Sequence, residues 1–163
     1  MTKQNKIILI IMAAAVLFAI NFNQLRRHYI YQETAREVFL SEGLDPSVYM
    51  KGINFRKPVR ILHVKKGDTL IQYQVPNVPQ GNFYALLGAA PTELGIGDFG
   101  IEPQTGLKVK KRLRVYIATK DVDVLSSYAR AIVDDWSTPE DETQTEGSKL
   151  QFFSTCKPCF KLK

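Results

Sequence analysis

Histidine and cysteine are scarce, with two of each in 163 residues. His28 and His63 lie far apart in the chain, and two distant histidines do not make a metal site. No metal ligands are therefore assigned, and His63, inside an alternating apolar run, reads as an ordinary strand side chain. The sequence has no Gly-Lys-Ser/Thr phosphate loop, no His-Glu-x-x-His pair and no Gly-x-Ser-x-Gly elbow. P-loop hydrolysis, zinc-peptidase chemistry and the serine-hydrolase triad are excluded on that ground. No repeat period shows, and the length supports one modest core but not two.

What is abundant is charge, unevenly placed. The net charge of +6 favours anionic partners such as nucleic acid, a phospholipid surface or a phosphate-bearing small molecule. Lys108, Lys110, Lys111, Arg112, Arg114 and Lys120 form a basic run; Asp134, Asp135, Glu140, Asp141, Glu142 and Glu146 form an acidic one. Each run also reads as a solvated face. A bipolar surface argues against one continuous basic face, so no nucleic-acid partner is expected.

Ile7 to Ile20 carries no charge and follows Lys3 and Lys6. A positive segment before a short apolar run has the form of a secretory signal. The residues after it, Asn21 to Gln24, offer no small-x-small cleavage site. An uncleaved signal anchor is preferred over a cleaved signal peptide or a buried core helix. The expectation is a single-pass inner-membrane protein with residues 1–23 in the membrane and the soluble part in the periplasm. Lys3 and Lys6 compete with Arg26 and Arg27 in setting that orientation.

Gln24 to Glu42 contains no Gly or Pro and reads as a helix with Gly43 as its C-terminal cap. Asp45 and Pro46 open a short second helix as N-cap and first position. Residues 24–53 are expected to form a helical stalk and residues 54–163 a β-rich domain, giving an α+β class. "PVRILHVKKGDTLIQYQV" predicts two strands joined by a turn. "LKVKKRLRVYIA" and Val122 to Leu125 predict two more, "SSYARAIVDDW" a short helix or turn, and "KLQFFS" a final strand. Cys156 and Cys159 in "CKPC" read as a local disulfide; a redox centre or half a zinc site is the lesser alternative.

The stretch Gln72 to Gly100 interleaves Pro76, Pro79 and Pro91 with five glycines and four aromatics. The prolines forbid a continuous helix or central strand. Gln72 to Ile96 is expected to form one wall of the main cleft, with Gln151 facing it from the last strand. The plain alternative is that Phe83, Tyr84, Leu86 and Leu87 complete the core.

"LIQYQVPNVPQGNFYALLGAAPTELGI", "VYIATKDVDVL", "YARAIVDDWSTP" and "TEGSKLQFF" together resemble the type 46 class of bacterial polymorphic-toxin C-terminal domains. That class is grouped loosely with ADP-ribosyltransferase-like and NAD-glycohydrolase toxins. The resemblance covers roughly Arg60 to Ser154 and implies a compact β-rich domain with a NAD-sized cleft. NAD would be a substrate; no resident cofactor is implied. Gln151 would orient the ribose or the attacking water, and Gln72 stands where related toxins often place an arginine. Tyr73, Gly81, Asn82, Phe83 and Tyr84 would line the ligand, with an aromatic ring stacked on adenine or nicotinamide. Backbone donors near Gly147 would meet a phosphate. The chain departs from the class at Ser148 and Lys149, which replace two glycines of its signature, and no glutamate stands well at the usual catalytic place. Two functions follow: a membrane-anchored domain that binds or cleaves NAD or a related nucleotide, or a non-enzymatic tethered interaction protein of an immunity or envelope complex. Either expects a protein partner.

Overall fold

The computed structural model describes residues 3–134 and 143–163. Asp135, Glu140, Asp141 and Glu142 of the acidic run, and Trp136, lie outside the described residues. The first helix, α1, runs unbroken over Lys3–Ser41, as expected of a segment without Gly or Pro. It closes through Gly43 in the left-handed region (φ 69), with the Leu44 N–H donating to the Phe39 carbonyl at 2.8 Å. Its two halves meet different surroundings. Leu9 to Phe22 present large apolar side chains outward, Phe18 at 73% exposure. By length and composition this one helix is sufficient to cross a membrane. Ala35 and Phe39, farther along, are fully buried.

The segment read as a stalk therefore packs its second half on the domain. Phe39 lies edge-on to Phe153, ring centroids 4.8 Å apart, and also touches Tyr49. Ala35, Phe39, Ile53, Val59, Leu125 and Phe153 form one buried cluster. Burying a phenylalanine ring contributes about 1.5–3 kcal/mol, so this helix end is anchored by packing. Helix α2, Pro46–Tyr49, starts as expected, with Ser47 N–H donating to the Asp45 carboxylate at 2.8 Å.

Among the described residues, seven strands make one antiparallel sheet. They are β1 (Arg60–Val64), β2 (Thr69–Gln74), β3 (Phe83–Ala85), β6 (Arg112–Ala118), β7 (Val122–Tyr128), β10 (Leu150–Phe153) and β11 (Phe160–Leu162). The order is β1-β7-β10-β3-β2-β6-β11. Two small ribbons accompany it: β4 (Phe99–Ile101) with β5 (Lys108–Lys110), and β8 (Val133–Asp134) with β9 (Thr143–Gln144). The α+β class stands.

The expected turn at Lys65–Asp68 joins β1 to β2, which do not pair with each other. It carries the chain from one half of the sheet to the other and docks on the end of β6, with Gly67 N–H to the Ala118 carbonyl at 2.8 Å. "SSY" extends β7 to Tyr128 instead of turning into a helix. The basic strand breaks at Lys111, whose N–H donates to the Asp98 carbonyl at 2.8 Å. β10 is followed by another strand, β11, which pairs with β6. The Cys156–Cys159 disulfide is formed, across the single 3-10 turn Lys157–Cys159.

Candidate functional site

The sheet is nearly two sheets. β2 pairs with β6 over six residues but with β3 only at Ile71 and Ala85. Past that one pair the strands diverge, because Pro76, Pro79 and Gly81 cannot continue a ladder. The main cleft opens at this split. It measures about 640 Å³, the size of a small-molecule site. Ile71, Ala85 and Ala89 are buried there, with Tyr73, Leu94 and Val115 packed against them.

Gln72 bridges the split. It is 4% exposed. Its Nε2 donates to the carbonyls of Gly81 (2.9 Å) and Phe83 (2.7 Å), while its Oε1 accepts from Gly81 N–H (3.2 Å) and Gln74 Nε2 (2.6 Å). Every polar site of this carboxamide is used. Gln72 lines the cleft as a clip that holds the 81–83 segment open.

Gln151 lines the same cleft from β10 and is 6% exposed. Its Nε2 donates to the Gly52 carbonyl and to Ser127 Oγ, both at 3.2 Å. The Gly52 carbonyl can only accept, which fixes the nitrogen there and leaves Oε1 as the other end. That oxygen has no protein donor among the described residues. Since no described side-chain polar atom is both sealed and unbonded, the oxygen is not sealed, on a residue that borders the cleft.

Of the other expected site residues, Gly81, Asn82, Phe83, Tyr73 and Tyr84 all border the cleft, but their side chains are differently employed. Tyr73 donates its hydroxyl to the Ala89 carbonyl at 2.9 Å. Phe83 packs on Phe153 and Tyr49, centroids 5.2 and 6.3 Å away. Tyr84 is 1% exposed and packs on Phe160 and Tyr116. Burial pushes its phenol up to about 12, so it stays neutral. Neighbouring residues on a strand point to opposite faces, so Phe83 and Tyr84 enter two different cores, and a free stacking platform at Tyr84 is ruled out. Leu86 and Leu87, by contrast, are exposed and complete no core.

Gly147 is not brought into the cleft. Its N–H donates to the Thr92 carbonyl at 3.0 Å. Its φ is 66, and a Cβ would stand 2.4 Å from the Ala131 nitrogen. The glycine serves close packing of backbone on backbone, and its donor is occupied. Ser148, also at positive φ (79), continues the same packing through its N–H to the Ala129 carbonyl.

A residue not singled out from sequence joins the cleft wall. Asp134 is 4% exposed and borders the cavity. Its Oδ2 accepts from Gly97 N–H at 2.5 Å and lies 3.6 Å from Lys111 Nζ, which also donates to the Gly97 carbonyl at 2.8 Å. Burial lowers the Lys111 pKa and the Asp134 charge opposes that shift. The reading of both residues as solvated charge is corrected: they are a buried pair. Lys110, Lys111, Arg112 and Arg114 border a second, basic cleft of about 700 Å³. No group of three or more potential metal ligands occurs among the described residues.

A one-pair hinge between two antiparallel halves, with a buried carboxylate and an open amide in the gap, defines a small-ligand cleft in a compact α+β domain. The chain belongs to the bacterial toxin 46 family, whose model matches residues 19–160. It is 38% identical over 135 residues to the NAD(P)(+) glycohydrolase toxin Tse6 of Pseudomonas aeruginosa, covering 80% of this chain and 31% of that protein. The chain thus spans about a third of the length of this curated relative. It is also similar to a solved structure of Tse6 in complex with Tsi6, with a TM-score of 0.72 and 35% identity over 84% of this chain and 96% of that one.

Proposed function

We propose that this toxin domain hydrolyses NAD or a closely related dinucleotide at the nicotinamide–ribose bond. One observation carries the reading: a buried carboxylate, Asp134, and an open carboxamide oxygen on Gln151 border one cleft in a chain whose relative is named for NAD(P)(+) cleavage. Cleavage of the C1′–N bond sends its electron pair to the nicotinamide, which leaves neutral, and leaves oxocarbenium-like positive charge on the ribose. A fixed anion beside that charge stabilises the transition state without reorganising. Asp134 supplies the anion. The Gln151 oxygen accepts from a ribose hydroxyl or from the attacking water. Water adds at C1′ and releases a proton, giving nicotinamide, ADP-ribose and H⁺. Gln72, with its hydrogen bonds satisfied internally, shapes the wall, and Tyr73, Gly81, Asn82 and Phe83 belong to the binding surface. The basic run draws the anionic dinucleotide toward the domain.

The exposed apolar part of α1 would tether this domain to the inner membrane, with the soluble part in the periplasm, and a protein partner is in keeping with the relative's complex. Full-length chain mixed with NAD should release free nicotinamide and ADP-ribose in equal amounts. Asp134→Asn keeps an acceptor for Gly97 N–H but leaves Lys111 without its counter-charge, so it should cost stability. Assayed at a temperature where circular dichroism shows the variant folded, turnover should fall about 100-fold or more, the scale of losing one preorganised electrostatic contact. Absence of any nicotinamide release by the wild type overturns the reading and favours the non-enzymatic interaction protein.

A further inference from the structure

We propose that Lys157, held by the Cys156–Cys159 disulfide, is a positioning residue for the cleft, so that thiol–disulfide exchange at the CKPC turn tunes substrate binding. This rests on the proposed hydrolysis of NAD. Lys157 does not border the cleft itself. Its ammonium donates to the Gly81 carbonyl and to the Asn82 Oδ1, and both of those residues border the cleft. The Gly81 carbonyl therefore takes two donors, Gln72 Nε2 from β2 and Lys157 Nζ from the turn. Asn82 is pinned again through its carbonyl, which accepts from Ser154 N–H at 2.9 Å. The segment that the split leaves without a ladder is thus gripped from both sides.

The turn that carries Lys157 is fixed at both ends. Cys159 is 1% exposed in the core that holds Tyr84, Tyr116 and Phe160. Its carbonyl accepts from Thr119 N–H at 2.8 Å, and the Pro158 carbonyl accepts from Thr119 Oγ1 at 2.9 Å. Cys156 is less buried and is tied to this anchor through the S–S bond. Partial burial lowers the Lys157 pKa. Its ammonium is partly desolvated, and the two oxygens that it meets offset that cost; displacing the turn loses both. A dithiol such as dithiothreitol would open the bridge by thiolate attack on one sulfur. A mixed disulfide forms, and the reagent's second thiol then displaces the protein sulfur. The protein gains two electrons and two protons as two thiols, and the reagent leaves as its own disulfide.

The test compares oxidised full-length chain, the same chain reduced with dithiothreitol, Lys157→Ala and Lys157→Arg. Nicotinamide release gives KM and kcat, and amide hydrogen exchange is followed at residues 80–83. Reduction and Lys157→Ala should each raise the KM for NAD about fivefold or more, the scale of a lost charge-assisted hydrogen bond, with a smaller change in kcat. Lys157→Arg should recover most of the loss. Reduction should add little to Lys157→Ala, because both remove one contact. Exchange at 80–83 should quicken in the reduced protein and in Lys157→Ala. An unchanged KM on reduction, or reduction effects that multiply with those of Lys157→Ala, overturns the proposal. If the wild type releases no nicotinamide, the hydrolysis reading fails by itself; unchanged exchange at 80–83 then overturns the positioning role as well, and faster exchange supports it.

Discussion

The two walls of the cleft each contribute a buried glutamine, and the two are employed in opposite ways. Gln72 and Gln151 are almost equally buried. Gln72 spends its whole carboxamide on Gly81, Phe83 and Gln74, and Gln74 in turn accepts from the Tyr116 hydroxyl at 3.1 Å. Gln151 spends only its nitrogen. Leaving a buried acceptor unmet costs about 1–3 kcal/mol unless a ligand or water meets it. Residue type and burial are the same; the difference lies in the backbone opposite. Gln72 faces a gap in the ladder with orphaned peptide groups to satisfy. Gln151 sits on a strand paired on both sides, at Ala85 and Ser127, so its neighbours' peptides are already bonded. The β2 wall is built for shape and the β10 wall for contact.

That contrast is breakable by substitution. The larger effect belongs to Gln72→Ala, which strands the Gly81 N–H and removes the carboxamide that ties β2 to the 81–83 segment. Unfolding in urea should show a loss of about 2–3 kcal/mol, the scale of a buried hydrogen-bonded group removed with its partners left behind. A melting curve indistinguishable from wild type would show that Gln72 is not the clip described. Gln151→Ala should move stability by under about 1 kcal/mol and raise the KM for NAD about fivefold, the scale of one neutral hydrogen bond to the ligand. Marked destabilisation with an intact KM would place Gln151 in the structural class instead and erase the difference between the walls.

How far the sequence displays this site depends on the signal. Pro76, Pro79 and the nearby glycines mark the break in the ladder, and placing a cleft wall at that stretch needs no more than their backbone restrictions. Asp134 was hidden because a run of acids looks solvated by composition, although Ala131, Ile132 and Val133 just before it set it apart from the acids that follow. Lys111 carried a clearer mark. Read by twos as one strand, Lys111 would fall in line with Val109, Leu113, Val115 and Ile117, a lysine in an apolar stripe; the break between β5 and β6 instead turns it to Asp134. Gly147 reads as a phosphate cradle or as a packing glycine equally well, since both require a bare backbone; only the 2.4 Å approach of Ala131 decides. The non-pairing of β1 and β2 was invisible to a turn signal, which reports a reversal and not the strand's eventual neighbour.

The smallest expected effect lies away from both walls and serves as their control. The cleft lining contains no histidine; the sheet edge holds one, where His63 on β1 meets the loop before β7 and β7 itself. His63 Nδ1 lies 2.9 Å from an Asp123 carboxylate oxygen and Nε2 3.4 Å from Asp121. The hydrogen bond to Asp123, and then that to Asp121, raises the imidazole pKa above its ordinary value of 6.5. A pKa raised in the folded state means that the protonated form is favoured by folding. The added stability is full below about 6.5, the unfolded value, and is lost as pH rises through the folded midpoint. All three groups are exposed, so the change in melting temperature should be slight and should shrink in high salt. Proton NMR should place the His63 midpoint above 6.5 and bring it down in Asp123→Asn, with the KM for NAD unmoved by that substitution. A midpoint at or below the ordinary value, or one indifferent to Asp123→Asn, removes the edge pair from the account; a KM that follows His63 would tie the sheet edge to the cleft.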